Sequence, residues 1–191
     1  MRKLVVTENI SLDGVIEAKD YWFGPAGDTD PGEAESDQAD LADEIRQQRE
    51  AADAFLVGRK TFEQMRSFWP LQTDDTTGIT DYLNQVAKYV VSASLKDPDW
   101  EPTTVLRGPL QVDITALKSQ PGNDIVTTGS ITLVHSLIAE GLVDEYRLFV
   151  YPVVVGRGEK LFVNSEKLSK LRLLQTRTFS SGIVLLRYGI K

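Results

Sequence analysis

Apolar residues in this chain fall into short β-branched runs separated by segments in which they recur every three or four positions. The clearest alternation lies between Asn123 and Phe162. Ile125-Val126-Thr127-Thr128 reads as a buried strand, and Gly129-Ser130 leads into Ile131, Val134, Leu137, Ile138 and Leu142 at helical spacing. Gly141 stops that helix. A second β-rich run covers Tyr146 to Val155, with Pro152 marking an edge or a bulge. Strand, glycine turn, helix and strand aim a helix N-terminus at the carboxyl edge of a sheet. Free N–H groups gather there, so the turn is either an anion cradle or an ordinary turn with an N-cap.

The remaining pattern completes an alternating α/β chain. Lys3 to Thr7 predicts a first strand that passes into the Asp13-Gly14 turn. A helix is expected over Asp37 to Ala52, with Leu41, Ile45 and Ala52 near one face. Strands follow at Ala54–Val57, Lys88–Val91 and Thr103–Leu106. Helices are expected from Gly58 to about Phe68, where Phe68-Trp69-Pro70 breaks the pattern, near Ile79–Val86, and at Val112–Ser119. Gly156-Arg157-Gly158 reads as a mobile turn. Leu171–Phe179 and Ile183–Ile190 read as a hairpin joined at Ser180-Ser181-Gly182. The pattern predicts a mixed sheet, parallel in the centre with an antiparallel C-terminal edge, and with helices on both faces. No break in composition divides the 191 residues, so a single domain spanning 1–191 is expected.

Composition narrows the function classes. A net charge of −7 with no basic stripe argues against nucleic-acid binding. The absence of cysteine removes thiolate chemistry and cysteine-ligated metals, and His135, the only histidine, sits mid-helix in apolar company, so no metal site is expected. MRKLVVT reads as a strand and not a leader, and no apolar run is long enough to span a membrane. A cytoplasmic protein is expected.

Candidate chemistry clusters at the strand ends. Gly58, Ser92-Ala93-Ser94 and Gly129-Ser130 each close a predicted strand, and parallel strands bring such ends to one rim. Arg59 and Lys60 sit at a helix start, where cations oppose the dipole unless an anion joins them, and Thr61 can cap that helix. Tyr21-Trp22-Phe23 lies in a long acidic loop, where the rings either cover a planar ligand or tuck the loop onto the core. Asp13 is either a substrate-side polar group or a residue that shapes its turn.

Taken together, Ser11-Leu12-Asp13-Gly14, Gly58-Arg59-Lys60-Thr61-Phe62, Thr128-Gly129-Ser130, Gly141-Leu142-Val143-Asp144-Glu145, Tyr151-Pro152 and Gly156-Arg157-Gly158 resemble the dihydrofolate reductase-like superfamily. Within it the chain is most similar to the RibD C-terminal (riboflavin-biosynthesis reductase) branch. The resemblance implies a doubly wound fold, NADPH as hydride donor, a homodimer, and reduction of a pterin- or pyrimidine-like heterocycle or an attached carbonyl, in the manner of 5-amino-6-(5-phosphoribosylamino)uracil reductase. By position, Gly58, Arg59, Lys60 and Thr61 would hold cofactor phosphates, with Arg59 or Lys60 near the adenosine 2′-phosphate. Ser92 and Ser94 would line the adenosine. Gly129, Ser130, Ile131 and Thr132 would underlie the pyrophosphate, and Val15 and Ile16 would cover the nicotinamide. Tyr21, Trp22, Phe23 and Trp69 would sandwich the substrate, with Asp13 as a catalytic candidate. Thr128 stands where relatives usually carry a second glycine, and Asp37, Asp40, Asp43 and Glu44 compete for the acid that folate reductases place on the first long helix. The alternative is a non-catalytic nucleotide-binding or regulatory module on the same fold, or an interaction protein that dimerises through its C-terminal strands.

Overall fold

In the computed structural model of the chain, the described residues are 1–19, 22–23, 39–163 and 170–191. Eight strands form one sheet: β1 (Leu4–Ser11), β2 (Ala52–Gly58), β3 (Ala87–Val91), β4 (Thr103–Leu106), β5 (Asp124–Thr127), β6 (Glu145–Tyr151), β7 (Leu171–Thr178) and β8 (Val184–Ile190). Their spatial order is β4-β3-β2-β5-β1-β6-β8-β7. Strands β4 through β6 run parallel, and β8 and β7 add on antiparallel. The helices among the described residues are α1 (Ala39–Glu50), α2 (Arg59–Phe68), α3 (Ile79–Gln85), α4 (Leu110–Ser119) and α5 (Ile131–Ala139), and a 3₁₀ turn covers Trp69–Leu71.

Hydrophobic periodicity sorts the helices by face. Ile114 and Leu117 of α4, and Val134 and Leu137 of α5, bury against Leu4, Val6, Leu56 and Ile125. Phe62 of α2 and Leu83 of α3 bury with Phe55, Val57 and Val90 on the opposite face. Leu41 of α1 packs against Phe149, Phe179, Ile183 and Leu185 toward the antiparallel edge. The crossovers run outward from β1 in both directions: α1 leads to β2 on one side, while α5 carries the chain from β5 past β1 to β6. Open α/β sheets bind ligands outside the carboxyl ends of the strands at such a reversal.

Several boundaries differ from the expectations. β1 continues to Ser11, because Val5 through Ser11 pair in register with Glu145 through Tyr151. Ala52 belongs to β2 and not to α1. β6 stops at Tyr151, ahead of Pro152, and it lies inside the sheet between β1 and β8, where a proline would remove a ladder bond. Asp37, at the predicted start of the first helix, lies outside the described residues.

Candidate functional site

The parallel strands bring Gly58, Val91 and Thr127 to one rim, with β2 lying between β3 and β5. Helices α2 and α5 start there from opposite faces. The amide of Gly58 donates to Ser130 Oγ at 3.0 Å, which ties the two helix starts together. Neither start has a side-chain cap, so the first-turn N–H groups of both are left for solvent or a ligand. Thr61, expected as a cap, instead stands inside the first turn of α2, where Gly58 is the capping position. Ser130 likewise does not cap its own helix, since its hydroxyl is turned across to β2.

Two left-handed residues shape the α5 turn: Gly129 at φ 60° and Ser130 at φ 48°. A methyl group added to Gly129 would meet Thr61 Cγ2 at 3.7 Å, and one added to Gly58 would meet Ser130 Oγ at 3.7 Å. The missing side chains therefore leave a notch between the two helix starts, framed by Thr61 and Ser130. Ile131 and Thr132 form the first turn of α5. Arg59 is exposed and pairs with Glu63 one turn along at 3.4 Å, a contact of small energetic weight. Lys60 is exposed and has no ion-pair partner among the described residues.

One strand further out, Ser92 Oγ accepts from the amides of Ser94 and Leu95 at 3.2 and 3.0 Å. Ser92 thus folds its own turn, while Ser94 is exposed. The guanidinium of Arg107, just past β4, donates to the carbonyls of Ser92, Ala93 and Leu95. That third cation at this end of the rim was not singled out from the sequence; its signal was a basic residue directly after a strand and before Gly108-Pro109.

Glu8 is the other residue the sequence reading passed over. It is 3% exposed, on β1 beneath the α5 turn, and its Oε2 accepts the Gly129 amide at 3.1 Å. Its Oε1 has no hydrogen-bond partner among the described residues. Burial raises its pKa well above the usual carboxylate range, against the smaller opposing effect of the Gly129 bond. The signal was an acid within the apolar run Leu4 to Ile10.

Asp13 holds its turn against the loop after β6, which accords with the turn-shaping alternative expected for it. Its carboxylate accepts Ser11 Oγ–H at 2.7 Å and the amides of Val155 and Gly156 at 3.0 and 2.9 Å. Those donors, the Ser11 hydroxyl foremost, lower its pKa to about 2. A carboxylate so held is a clasp between two loops and no proton source near neutrality. Val15 and Ile16 are buried: Val15 beneath Gly158, whose added Cβ would lie 3.0 Å from Val15 Cγ1, and Ile16 in the core on the α5 side. Their side chains face inward, so only the loop backbone is turned outward here.

A cavity of about 320 Å³ opens on the face carrying α1, α2 and α3. Thr7 and Asn9 of β1, Phe55 of β2 and Phe149 of β6 form its floor. Ile45, Gln48 and Arg49 of α1 form one wall; Met65, Trp69, Tyr82 and Leu83 form the other. Val126 and Thr128 close the rim end, and Thr128 is bonded directly to Gly129 of the α5 turn. Burial pushes the Tyr82 hydroxyl up to about 12, with the Arg49 charge opposing and Asp53 adding to the shift. Among the expected aromatics, Trp69 lines this cavity. Trp22 and Phe23 lie edge-on to one another and both pack against Tyr151, with ring centroids 5.7 and 6.1 Å from it, so these two rings sit on the end of β6. Tyr21 lies outside the described residues.

No carboxylate lines the cavity among the described residues. The α1 acids point elsewhere: Asp40 accepts from the amide and hydroxyl of Ser180, Asp43 pairs with Arg46, and buried Glu44 pairs with Arg177 at 2.6 Å. His135 Nε2 meets the Lys160 carbonyl at 2.8 Å, a bond from α5 to the segment after β6.

Comparison with known proteins agrees with this architecture. The uncharacterised protein YyaP of Bacillus subtilis (strain 168) is 32% identical over 189 residues, covering 98% of this chain and 94% of its own. A protein of Shewanella sp. PV-4 named for riboflavin biosynthesis superposes with a TM-score of 0.69 at 19% identity, covering 99% of both chains. A pyrimidine reductase-like protein of Corynebacterium diphtheriae gives a TM-score of 0.58 at 16% identity, over 100% of this chain and 92% of that one. At those identities the solved structures share the fold. The family model of the RibD C-terminal domain matches residues 2–185, and the chain belongs to that family.

Proposed function

We propose that this chain is a nicotinamide-nucleotide-dependent reductase whose cofactor lies along the rim and whose acceptor enters the cavity beside it. The observation that carries the reading is the notch between two uncapped helix starts, linked through Thr128-Gly129 to the end of an apolar cavity. A pyrophosphate suits such a notch, because N–H groups and two positive dipole ends converge on it. Gly58, Thr61, Gly129, Ser130, Ile131 and Thr132 would line it. Arg59 and Lys60, with Arg107 beside the Ser92-Ala93-Ser94 turn, would face the adenosine end, and these cations favour NADPH over NADH. The bound nicotinamide would supply a hydride. The chain's own part is to hold the acceptor flat against Trp69 and Phe55 and to exclude water from the apolar cavity. A pyrimidine-like heterocycle fits the cavity's size and aromatic lining, and the name of the Corynebacterium protein supports that choice.

The test is a titration with NADPH followed by turnover with a panel of pyrimidine and carbonyl acceptors, read as loss of dihydronicotinamide absorbance. Absence of NADPH binding at millimolar concentration would remove this reading. The lack of an acid among the described residues of the cavity favours a second reading, a nucleotide-binding module without turnover; NADPH binding with no acceptor reduced is its signature. A homodimer accords with the outer strand β7, on which Leu173 and Leu174 are exposed, and light scattering in solution tests it.

A further inference from the structure

Glu8 is an acid buried without a counter-charge among the described residues. It lies on β1 in line with Leu4, Val6 and Ile10, on the sheet face that α5 covers. It is 3% exposed, and the Gly129 amide, at 3.1 Å, is its one side-chain hydrogen bond among the described residues. The left-handed pair Gly129-Ser130 is thus held from beneath by Glu8 and from the side by the Gly58 amide on Ser130 Oγ. With the Gly129 amide taken, the donors left open at this turn are the first-turn amides of α5 itself.

The charged groups of the elements packed around Glu8 are engaged elsewhere. On the same face, β5 contributes Thr127, and β6 contributes Tyr146, whose hydroxyl burial pushes up to about 12. Alternation puts Asp124, Glu145 and Arg147 on the opposite face, where they pair with one another. On α5 the titratable side chain is His135, turned to the Lys160 carbonyl. On α4, Asp113 accepts the Gly108 amide and Lys118 pairs with Asp144. Past β1, Asp13 and Glu17 accept the amides of Gly156 and Glu159. Arg59 and Lys60 of α2, and Arg157, Glu159 and Lys160 after β6, are exposed. Burial outweighs the Gly129 bond, so the site favours the neutral carboxyl.

An anion at the start of α5 adds a negative charge beside the turn that Glu8 holds, and like charges at a buried site disfavour each other. We infer that Glu8 is a positioning residue for this turn, and that a dinucleotide seats there with the Glu8 carboxyl protonated, so that binding takes up a proton. The inference rests on the rim being the cofactor site of the proposed reductase. Protonated, Glu8 accepts the Gly129 amide and adds no charge beneath the phosphates; ionised, it repels them. Affinity is therefore full at low pH and falls as pH rises through the ionisation of the free chain.

NADPH is titrated against the unaltered chain, Glu8→Gln and Glu8→Ala from about pH 6 to about pH 9. The quantity read is the ratio of dissociation constants, unaltered chain over Glu8→Gln, in which the ionisations of the 2′-phosphate and of Lys88 cancel. The two chains should bind alike at the acid end, with the unaltered chain about 10-fold weaker at the alkaline end, the change that one coupled proton produces over one pH unit. Glu8→Gln keeps a carbonyl oxygen for the Gly129 amide, and Glu8→Ala does not. The alanine variant should therefore bind about 2- to 10-fold more weakly than Glu8→Gln at every pH, the worth of one hydrogen bond. A merely structural role lowers stability without tilting the ratio. Should Glu8→Ala fail to fold, the ratio between the other two chains still decides. NADPH binding with a ratio that stays flat, or falls with pH, overturns the inference and leaves the reductase reading standing. No NADPH binding by the unaltered chain at any pH removes both.

Discussion

Replacing Ser130 tests the junction of the two helix starts. Two effects meet at this residue: its hydroxyl accepts the Gly58 amide at 3.0 Å, and its backbone sits at φ 48°, ψ 42°. Ser130→Ala removes the hydrogen bond and keeps the left-handed backbone, at a cost of about 0.5–1.5 kcal/mol. In a chain of this length that corresponds to a melting temperature lower by about 1–6 °C. Ser130→Gly loses the same bond but relieves about 1–2 kcal/mol of left-handed strain. Against that relief stands about 0.5–1 kcal/mol for the freedom glycine gains in the unfolded chain. The glycine variant is therefore expected to equal the alanine variant or exceed it by up to about 1.5 kcal/mol. Urea denaturation gives both stabilities, and NADPH titration of the same samples gives the functional consequence. Both variants should bind NADPH more weakly, because α2 and α5 are no longer tied at the notch. A glycine variant clearly less stable than the alanine variant would refute the strain argument, and undiminished NADPH affinity in both would refute the functional role of the tether.

Three further expectations concern ionisable groups. Because burial raises the Glu8 pKa, Glu8→Gln should preserve the Gly129 bond and match the wild type near pH 4, whereas Glu8→Ala should not. A raised carboxyl pKa means that the unfolded chain ionises first, so wild-type stability should fall relative to Glu8→Gln as pH rises above about 4.3; a constant difference across pH would contradict this. Asp13 behaves in the opposite sense: its pKa of about 2 gives stability that is present above the ordinary aspartate value and lost as pH falls toward 2. Asp13→Asn should remove that dependence and leave the pH profile of any turnover between pH 6 and pH 9 unchanged in shape, as read in about five buffers across that range. Lys88 is 1% exposed and donates to the carbonyls of Leu83, Val86 and Glu101, and burial lowers its pKa to about 8. The unfolded chain then holds the extra proton above pH 8, so stability should rise from there toward the ordinary lysine value, and Lys88→Met should abolish the rise.

Most of the sheet was legible because its strands are short, apolar and punctuated by glycine, serine or proline. The β2–β3–β5 rim followed from where those runs ended, and the C-terminal hairpin followed from Ser180-Ser181-Gly182. The extent of β1 was hidden, because Glu8, Asn9 and Ser11 look like loop residues until their pairing with β6 is known. The cavity was less legible for a related reason. On α1 the visible pattern was apolar, yet the residues that reach the cavity with Ile45 are Gln48 and Arg49, which share its face at spacings of three and four. Acids clustered at the start of α1 drew attention as proton sources, but Glu44 and Asp40 are spent on Arg177 and Ser180, partners more than a hundred residues away that spacing along the chain cannot reveal. Asp13 is the same lesson at a turn, since its partners Val155 and Gly156 come from the far side of the sequence.

A crystal structure of the chain grown with NADPH tests the central claim most directly. The account requires the pyrophosphate to lie between Gly58–Thr61 and Gly129–Thr132, with the nicotinamide ring at the Thr128 end of the cavity that Trp69 lines. A dinucleotide seated anywhere else, or a notch that stays empty at saturating NADPH, would contradict it.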